Sequence, residues 1–311
     1  GTDFPEWFKY NDCMIISTTI NKYCYITIRE LPDFYKYRTR LVWSLIEEVR
    51  NNREIKHPVV KQVLRHFKYK KGLEIHYDAD LPSRSGLGSS SSFTIGFLNA
   101  FYHLISHKTN KKILTDDSIF VERKLLKEFG GIQDQIQISH GGFNMINIDK
   151  NGKYIVKKNK NIKKLNELKT NLLLFYTGIQ RHSSMVTEIT LEALPKKLSN
   201  LKGIYNLALE AKKILFSDNG NLNDLGLLMD ESWNLKRDIH KNISNSIIDN
   251  AYNIAKKNGA LGGKILGSGG GGHLLLYCNK KNQAKVINAL HNFTKIDFNF
   301  DNDGSQIIYR N

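Results

Sequence analysis

The stretch LPSRSGLGSSSSFTIGFLNAF, Leu81–Phe101, constrains this chain more than any other. Between Pro82 and Phe93 it holds six serines, two glycines and one arginine. It then runs into Phe93–Ile105, an apolar segment long enough for a buried helix. GLEIHYDADLP, just before it, reads as a strand ending at Pro82. Strand, glycine-serine loop and helix, in that order, form the setting in which backbone N–H groups and the helix dipole hold an anion. Gly86 and Gly88 let the backbone curl around a cluster of oxygens without Cβ clashes. Ser85, Ser89, Ser90, Ser91 and Ser92 offer hydroxyls to phosphate or Mg2+, and Arg84 offsets negative charge. A helix cap accounts for one serine, not five; a phosphate-binding loop accounts for the set.

The loop is not a P-loop, because G-x-x-x-x-G-K-[ST] is absent. A second glycine cluster, GSGGGG at 267–272, matches G-x-G-x-x-G but precedes the strand His273–Cys278 instead of following one. That order is wrong for a dinucleotide fingerprint. Four consecutive glycines suit a backbone that lies flush against another loop or a ligand.

The rest of the chain mixes strands and helices without regular βαβ alternation, which favours α+β over a doubly wound sheet. Residues 15–28 read as one or two strands. Residues 40–68 read as helical, with Leu41, Leu45, Ile46 and Val49 on one face and a second segment after Pro58. Thr115-Asp116-Asp117 opens a helix over 116–128 that stops at Gly130-Gly131. GFNMINIDKNGKYIVKK is a hairpin turning at Asn151-Gly152. The Lys- and Asn-rich stretch 157–170 is the expected domain boundary, dividing the chain into 1–167 and 168–311. Beyond it follow the strand NLLLFYTG, helices near 184–216, 221–235, 243–258 and 281–292, and two short closing strands.

At 41% hydrophobic and 24% charged the chain has ample material for a core, and no run of about 18 apolar residues suggests a membrane helix. The N-terminal residues lack a basic and then apolar leader, so no secretory signal is expected. Cys13, Cys24 and Cys278 are odd in number without metal-ligand spacing, which fits a reduced, cytoplasmic setting. The formal charge of +16 comes from scattered lysines without an RNA-binding signature or zinc finger. It reads first as a solvated basic surface, then as a sign of an anionic small-molecule partner, and no nucleic-acid partner is expected.

PSRSGLGSSSSF resembles the P-x-x-x-G-L-G-S-S motif of the GHMP kinases, and ALGGKILGSGGGGHLLL resembles their C-terminal glycine motif. GTDFPEWF, GGIQDQIQISHGGFN and FYTGIQRHSS extend the resemblance over nearly the whole chain, most closely to heptose phosphate kinases. L-Fucokinase domains share G-x-Q-D-Q but carry Trp where this chain has Ile132. The resemblance implies a ribosomal-protein-S5-domain-2-like N-terminal ATP-binding domain and a ferredoxin-like C-terminal domain. It implies ATP and Mg2+ as cofactors and a small sugar phosphate as substrate, phosphorylated at its anomeric hydroxyl. The alternatives are a sugar 1-kinase for an unphosphorylated sugar such as fucose, and a non-enzymatic binding protein that kept the fold.

By resemblance, ATP phosphates lie on Pro82, Ser83, Arg84, Ser85, Gly86, Leu87, Gly88, Ser89 and Ser90. Ser90 and Glu122 become ligands of Mg2+, with Glu128 competing for the second role; Ser91 and Ser92 do no more than start a helix. Asp134, twelve residues after Glu122, becomes the base that takes the sugar hydroxyl's proton. Thr2, Asp3, Gln133, Gly269 and Gly270 are expected at the sugar, Asp3 accepting its hydroxyls. Arg181 and Ser183 are expected at its phosphate, with Ser184 as a further donor, because a guanidinium fork matches phosphate oxygens. His140 and His182 carry no role. Relatives place a strand with P-L-R ahead of G-G-G-T-D, and this sequence begins at Gly1 of that element. If that segment is absent, a damaged N-terminal sheet and weak activity are expected. Phe93 also stands where relatives carry alanine nearby.

Overall fold

The computed structural model describes every residue except His182 and Asn311, and the side chains of all others except Ser183–Met185. Two compact units interleave along the chain. One comprises Gly1–Asn21, Ser83–Gly88 and Gly142–Asp301; the other comprises Lys22–Pro82, Ser89–Gly141 and the residues from Asn302 onward. These units follow spatial contact, so they cut the chain differently from the sequential division at 167/168.

The first unit contains two antiparallel four-stranded sheets. In one, Cys13–Ile20 runs between Phe300–Asp301 and Phe143–Ile148, and Tyr154–Lys158 closes the far edge. The hairpin joining its last two strands turns as expected. Gly152 has φ +77°, and the Asp149 carboxylate accepts from the amides of Asn151 and Lys153 at 2.8 and 2.9 Å. The other sheet orders Thr294–Ile296, Leu172–Tyr176, His273–Cys278 and Ala260–Ile265. Helix Leu222–Arg237 lies directly on the last of these strands. A Cβ on Gly262 would stand 2.0 Å from the Gly226 carbonyl oxygen, so glycine is what lets helix and strand backbones touch. Phe143, Leu165, Leu168, Leu215, Leu222, Leu225 and Tyr277 form this unit's main apolar core.

The second unit has a mixed sheet in the order Cys24–Leu31, Gly72–Ala79, Thr39–Val42, Ile46–Val49. Gly72–Ala79 and Thr39–Val42 are its parallel pair. Helix Ser89–Leu104 covers it, burying Phe93, Phe97, Leu98 and Phe101 among Leu41, Val60, Val63 and Ile75.

Four expectations change. Residues 39–49 are a hairpin, not a helix: Leu41 is buried while Leu45 and Ile46 are exposed, and the helical parts of 40–68 are a short 3-10 turn, Asn52–Glu54, and the α-helix Pro58–His66. The buried Glu47 carboxylate fixes the hairpin's end by accepting from Trp43 Nε1 at 3.0 Å and the His57 amide at 3.1 Å. The helix expected over 116–128 starts earlier, at Lys111, because Asn110 caps it through the Ile113 amide at 3.0 Å. It then passes at Val121 into a five-residue π turn ending at Leu125. The proposed boundary segment folds as the end of a strand and a helix, Ile162–Thr170, whose Leu165 and Leu168 join the core. Strand Ala260–Ile265 was hidden in a glycine-rich run. Among the described residues no helix is long and apolar enough to cross a membrane.

Candidate active site

In the first unit the two glycine motifs meet backbone to backbone. A Cβ on Gly272 would lie 2.1 Å from the Ser85 carbonyl oxygen. One on Gly267 would lie 2.8 Å from Gly86 Cα, and one on Gly86 2.5 Å from the Leu266 carbonyl oxygen. All three have φ between +72° and +91°, which L side chains avoid. The contact is pinned from both sides: His273 Nδ1 meets the Ser85 carbonyl at 2.9 Å, and Thr177 donates to the Gly272 carbonyl through its amide and its hydroxyl, at 2.9 and 2.8 Å. Arg84, exposed at φ +59°, accepts from the Arg181 amide at 3.3 Å. A non-glycine residue held in that region is a local strain of the kind loops keep for function.

Arg181 leans over the same junction, its Nη2 3.5 Å from the Leu266 carbonyl oxygen and 3.1 Å from the Cβ position of Gly267. Its Nε is buried without a hydrogen-bond partner, and burial lowers its pKa to about 10. Gly270 sits beside its Cδ, while Gly269, at φ +111°, packs against the Ile243 carbonyl. Sequence reasoning passed over two lysines here. Lys236, at the end of helix Leu222–Arg237, donates to the Gly267 carbonyl at 2.6 Å. Its pKa is pushed down by burial first, then by Lys264 and Arg181, and burial also lowers that of Lys264. Thr2 is fully buried and Asp3 half-buried in this unit.

In the second unit a carboxylate cluster forms around Glu122, which is 2% exposed. Its Oε2 accepts from Ser91 Oγ at 3.1 Å and from Gln135 Nε2 in a short hydrogen bond, while Oε1 has no partner. Burial raises its pKa, repulsion from Glu128 adds to that, and Arg123 with the Gln135 bond opposes. Glu122, and not Glu128, is therefore the acid bonded to the serine helix. The helix serines also divide unexpectedly. Ser91 is buried and bonded to Glu122, more than a helix start, whereas Ser90 is exposed in the first turn. Asp134 is half-buried in the first turn of helix Gln133–His140, one residue from Gln135.

Of the nine expected ATP-loop residues, Ser83–Gly88 belong to the first unit, and Pro82, Ser89 and Ser90 to the second. Arg181, Gly269 and Gly270 are brought together; Gln133 adjoins Asp134 in the chain. His182 and the side chains of Ser183 and Ser184 lie outside the described residues. Among the described residues no three His, Cys, Asp or Glu side chains converge as a metal cage. Mg2+ is commonly held by one or two carboxylates together with substrate phosphates. An orphaned, buried carboxylate oxygen on Glu122 fits that kind of donor set.

Known proteins match this architecture. Residues 54–142 match the N-terminal domain model of the GHMP kinases, and 191–296 match their C-terminal model. The D-glycero-alpha-D-manno-heptose 7-phosphate kinase of Campylobacter jejuni is 30% identical over 236 residues, 74% of this chain and 69% of that protein. The bifunctional fucokinase/GDP-fucose pyrophosphorylase of Arabidopsis thaliana is 25% identical over 70% of this chain, which spans 21% of its length. A D-glycero-D-manno-heptose 1-phosphate kinase from Bacteriodes thetaiotaomicron superposes with a TM-score of 0.78 at 23% identity, covering 100% of this chain and 95% of its own. Lactococcus lactis galactokinase complexed with galactose gives 0.70 at 19% identity, over 97% and 91%. These two structures share the fold. With both family domains matched in order along the sequence, the chain belongs to the GHMP kinases and is an ATP-dependent sugar kinase.

Proposed function

We propose that the chain transfers the γ-phosphoryl group of ATP to the anomeric hydroxyl of D-glycero-D-manno-heptose 7-phosphate, giving the 1,7-bisphosphate and ADP. Residues 1–167 serve as the ATP-binding domain and 168–311 as the C-terminal domain of this cytoplasmic enzyme, whose product feeds nucleotide-heptose and surface-polysaccharide synthesis. The observation that carries this reading is the junction of the two glycine motifs with Arg181 leaning over it and, among the described residues, no acidic partner.

Phosphoryl transfer asks mainly for positioning and charge neutralisation. Backbone N–H groups of Ser85–Gly88, with Arg84, hold the phosphates of ATP, as an anion-binding loop at a helix start does. Asp134 takes the proton of the anomeric hydroxyl as that oxygen bonds to the γ-phosphorus and the bond to the β-phosphate oxygen breaks. Asp3 orients the sugar ring by accepting hydrogen bonds from its hydroxyls, Gln133 adds an amide contact, and Thr2, Gly269 and Gly270 shape its seat. Arg181, with Ser183, holds the 7-phosphate. Ser90 and Glu122 would hold Mg2+, which when bound neutralises the charge on the phosphate oxygens. Gln135 and Ser91 keep the Glu122 carboxylate aimed, leaving Oε1 available.

A coupled ADP-release screen across heptose 7-phosphate, the unphosphorylated heptose, fucose, galactose and mevalonate tests the reading. Heptose 7-phosphate is expected to give the highest kcat/KM. Equal use of phosphorylated and unphosphorylated sugars removes the 7-phosphate contact and favours a fucokinase-like enzyme, the activity in the name of the Arabidopsis relative.

A further inference from the structure

We propose that Lys236 and Lys264 join Arg181 in a three-cation site that grips the phosphate which the sugar substrate already carries. The inference rests on the reading above and adds two specificity residues to it.

Two of the side chains meet on one short segment, and the third belongs to the strand that leads into it. Lys236 Nζ donates to the Gly267 carbonyl at 2.6 Å. Arg181 Nη2 is 3.5 Å from the neighbouring Leu266 carbonyl. Lys264 lies at the end of the strand that leads into both residues. Lys236 reaches this segment because helix and strand touch through Gly226 and Gly262. Among the described residues no carboxylate pairs with any of the three. Like charges held half-buried together are costly to keep. Here the cost is visible in the lowered affinity of each for its proton, with Lys264 and Arg181 acting on Lys236.

Two further polar groups at the segment, Arg181 Nε and Ser268 Oγ, are buried without partners. Natural folds rarely leave such groups orphaned unless something else satisfies them. A dianion supplies both the missing charge and the missing acceptors.

The phosphates of ATP have the backbone N–H groups of Ser85–Gly88 to serve them. Lys236 and Arg181 instead bond to Gly267 and Leu266 of the C-terminal glycine motif. A sugar seated at Gly270, beside the Arg181 side chain, brings its own phosphate to this trio.

The test compares kcat/KM for heptose 7-phosphate with that for the same sugar lacking the phosphate, in the wild-type enzyme, K236M, K264M, K236R and K264R. Loss of one charge-assisted contact corresponds to about 10- to 100-fold. Each Met variant is expected to lower the preference for the phosphorylated sugar by at least ~10-fold, with KM for ATP within about 2-fold. The Arg variants are expected to keep most of the preference. If K236M fails to fold, because the Gly267 carbonyl loses its donor, the K264M and K264R pair decides. A folded Met variant with unchanged preference overturns the site. So does a rise in KM for ATP matching that for the sugar phosphate, which would assign the cations to ATP. A wild-type enzyme with no preference for phosphorylated sugar fails the heptose 7-phosphate reading itself, a distinct result seen before any variant is made.

Discussion

Replacing Gly272 by alanine tests whether the contact between the two glycine motifs builds the ATP loop. The new Cβ would stand 2.1 Å from the Ser85 carbonyl oxygen and 2.6 Å from its carbon. Non-bonded heavy atoms settle near ~3.5 Å, so one loop has to retreat by more than ~1 Å. That retreat disturbs the His273–Ser85 bond and the two bonds from Thr177; losing one of them costs about 1 kcal/mol. The backbone at φ +91° adds about 1–2 kcal/mol for any L residue. Together the loss is about 2–3 kcal/mol. Gly152→Ala in the same unit is the control, because Gly152 has φ +77° and nothing within 4 Å of its Cβ position, so only the conformational term, about 1–2 kcal/mol, applies. Thermal unfolding of the two variants is expected to differ by about 2–4 °C, the shift that the remaining ~1 kcal/mol produces in a domain of about 150–250 residues. Steady-state assays should show KM for ATP raised in Gly272→Ala and unchanged in Gly152→Ala. If Gly272→Ala is as stable as Gly152→Ala and binds ATP normally, the two motifs do not brace one another.

Three other perturbations address individual groups. Asp134→Asn should melt like the wild type and lose about 10²–10⁴-fold in kcat, the usual contribution of a general base; an active variant removes Asp134 from that role. Glu122→Gln should leave stability unchanged or raised, because a neutral amide escapes the desolvation that burdens the buried carboxylate. Its KM for Mg2+ in the kinase assay should rise, and a wild-type Mg2+ dependence would dismiss Glu122 as a ligand. His57, packed between the Trp43 and Phe93 rings at 4.7 and 4.2 Å, has its pKa lowered by burial from 6.5 to about 4. The unfolded chain then binds more protons between those values, so stability should fall as pH drops from 6.5 to 4, by up to about 3 kcal/mol. Denaturant titrations across that range on the wild type and His57→Phe should show a slope in the first that the second lacks.

What could be read from the sequence was whatever a local pattern encodes. Strand, glycine-serine loop and buried helix at 72–104 needed no tertiary information, since the apolar run after Phe93 is unambiguous and the glycines punctuate it. The hairpin at 39–49 was misjudged because Leu41, Leu45, Ile46 and Val49 satisfy a helical period by coincidence. Tertiary context decides there: the buried Glu47 carboxylate collects donors from residues up to ten positions away, which no window of hydropathy records. Lys236 and Lys264 were illegible for a related reason. In a chain with 46 lysines and arginines, two of them carry no information until the Gly226–Gly262 contact brings Lys236 to the segment that Arg181 also bonds. Ser91 shows the finer limit, because the motif makes the serines look alike and only the fold selects which one faces Glu122.

The spacing of twelve residues between Glu122 and Asp134 has a physical explanation in the segment that joins them. The helix from Lys111 turns π-helical at Val121, a rare distortion that recurs at functional sites because it re-aims one side chain. Here the residues it carries are Glu122, directed inward, and Arg123. The guanidinium of Arg123 then gathers the carbonyls of Glu128 and Phe129, at 3.0 and 2.9 Å, and that of Gly131 in a short bond. Those carbonyls belong to the loop that delivers helix Gln133–His140, whose Gln135 reaches back to the Glu122 carboxylate. The circuit closes on itself: the π turn places the acid and the arginine, the arginine sets the loop, the loop starts the helix, and the helix clamps the acid. Asp134 lies between the loop and the clamp, so its backbone is fixed from both sides. A carboxylate meant to meet one hydroxyl needs that kind of support, because an error of ~1 Å in placement can cost about 10²-fold in rate.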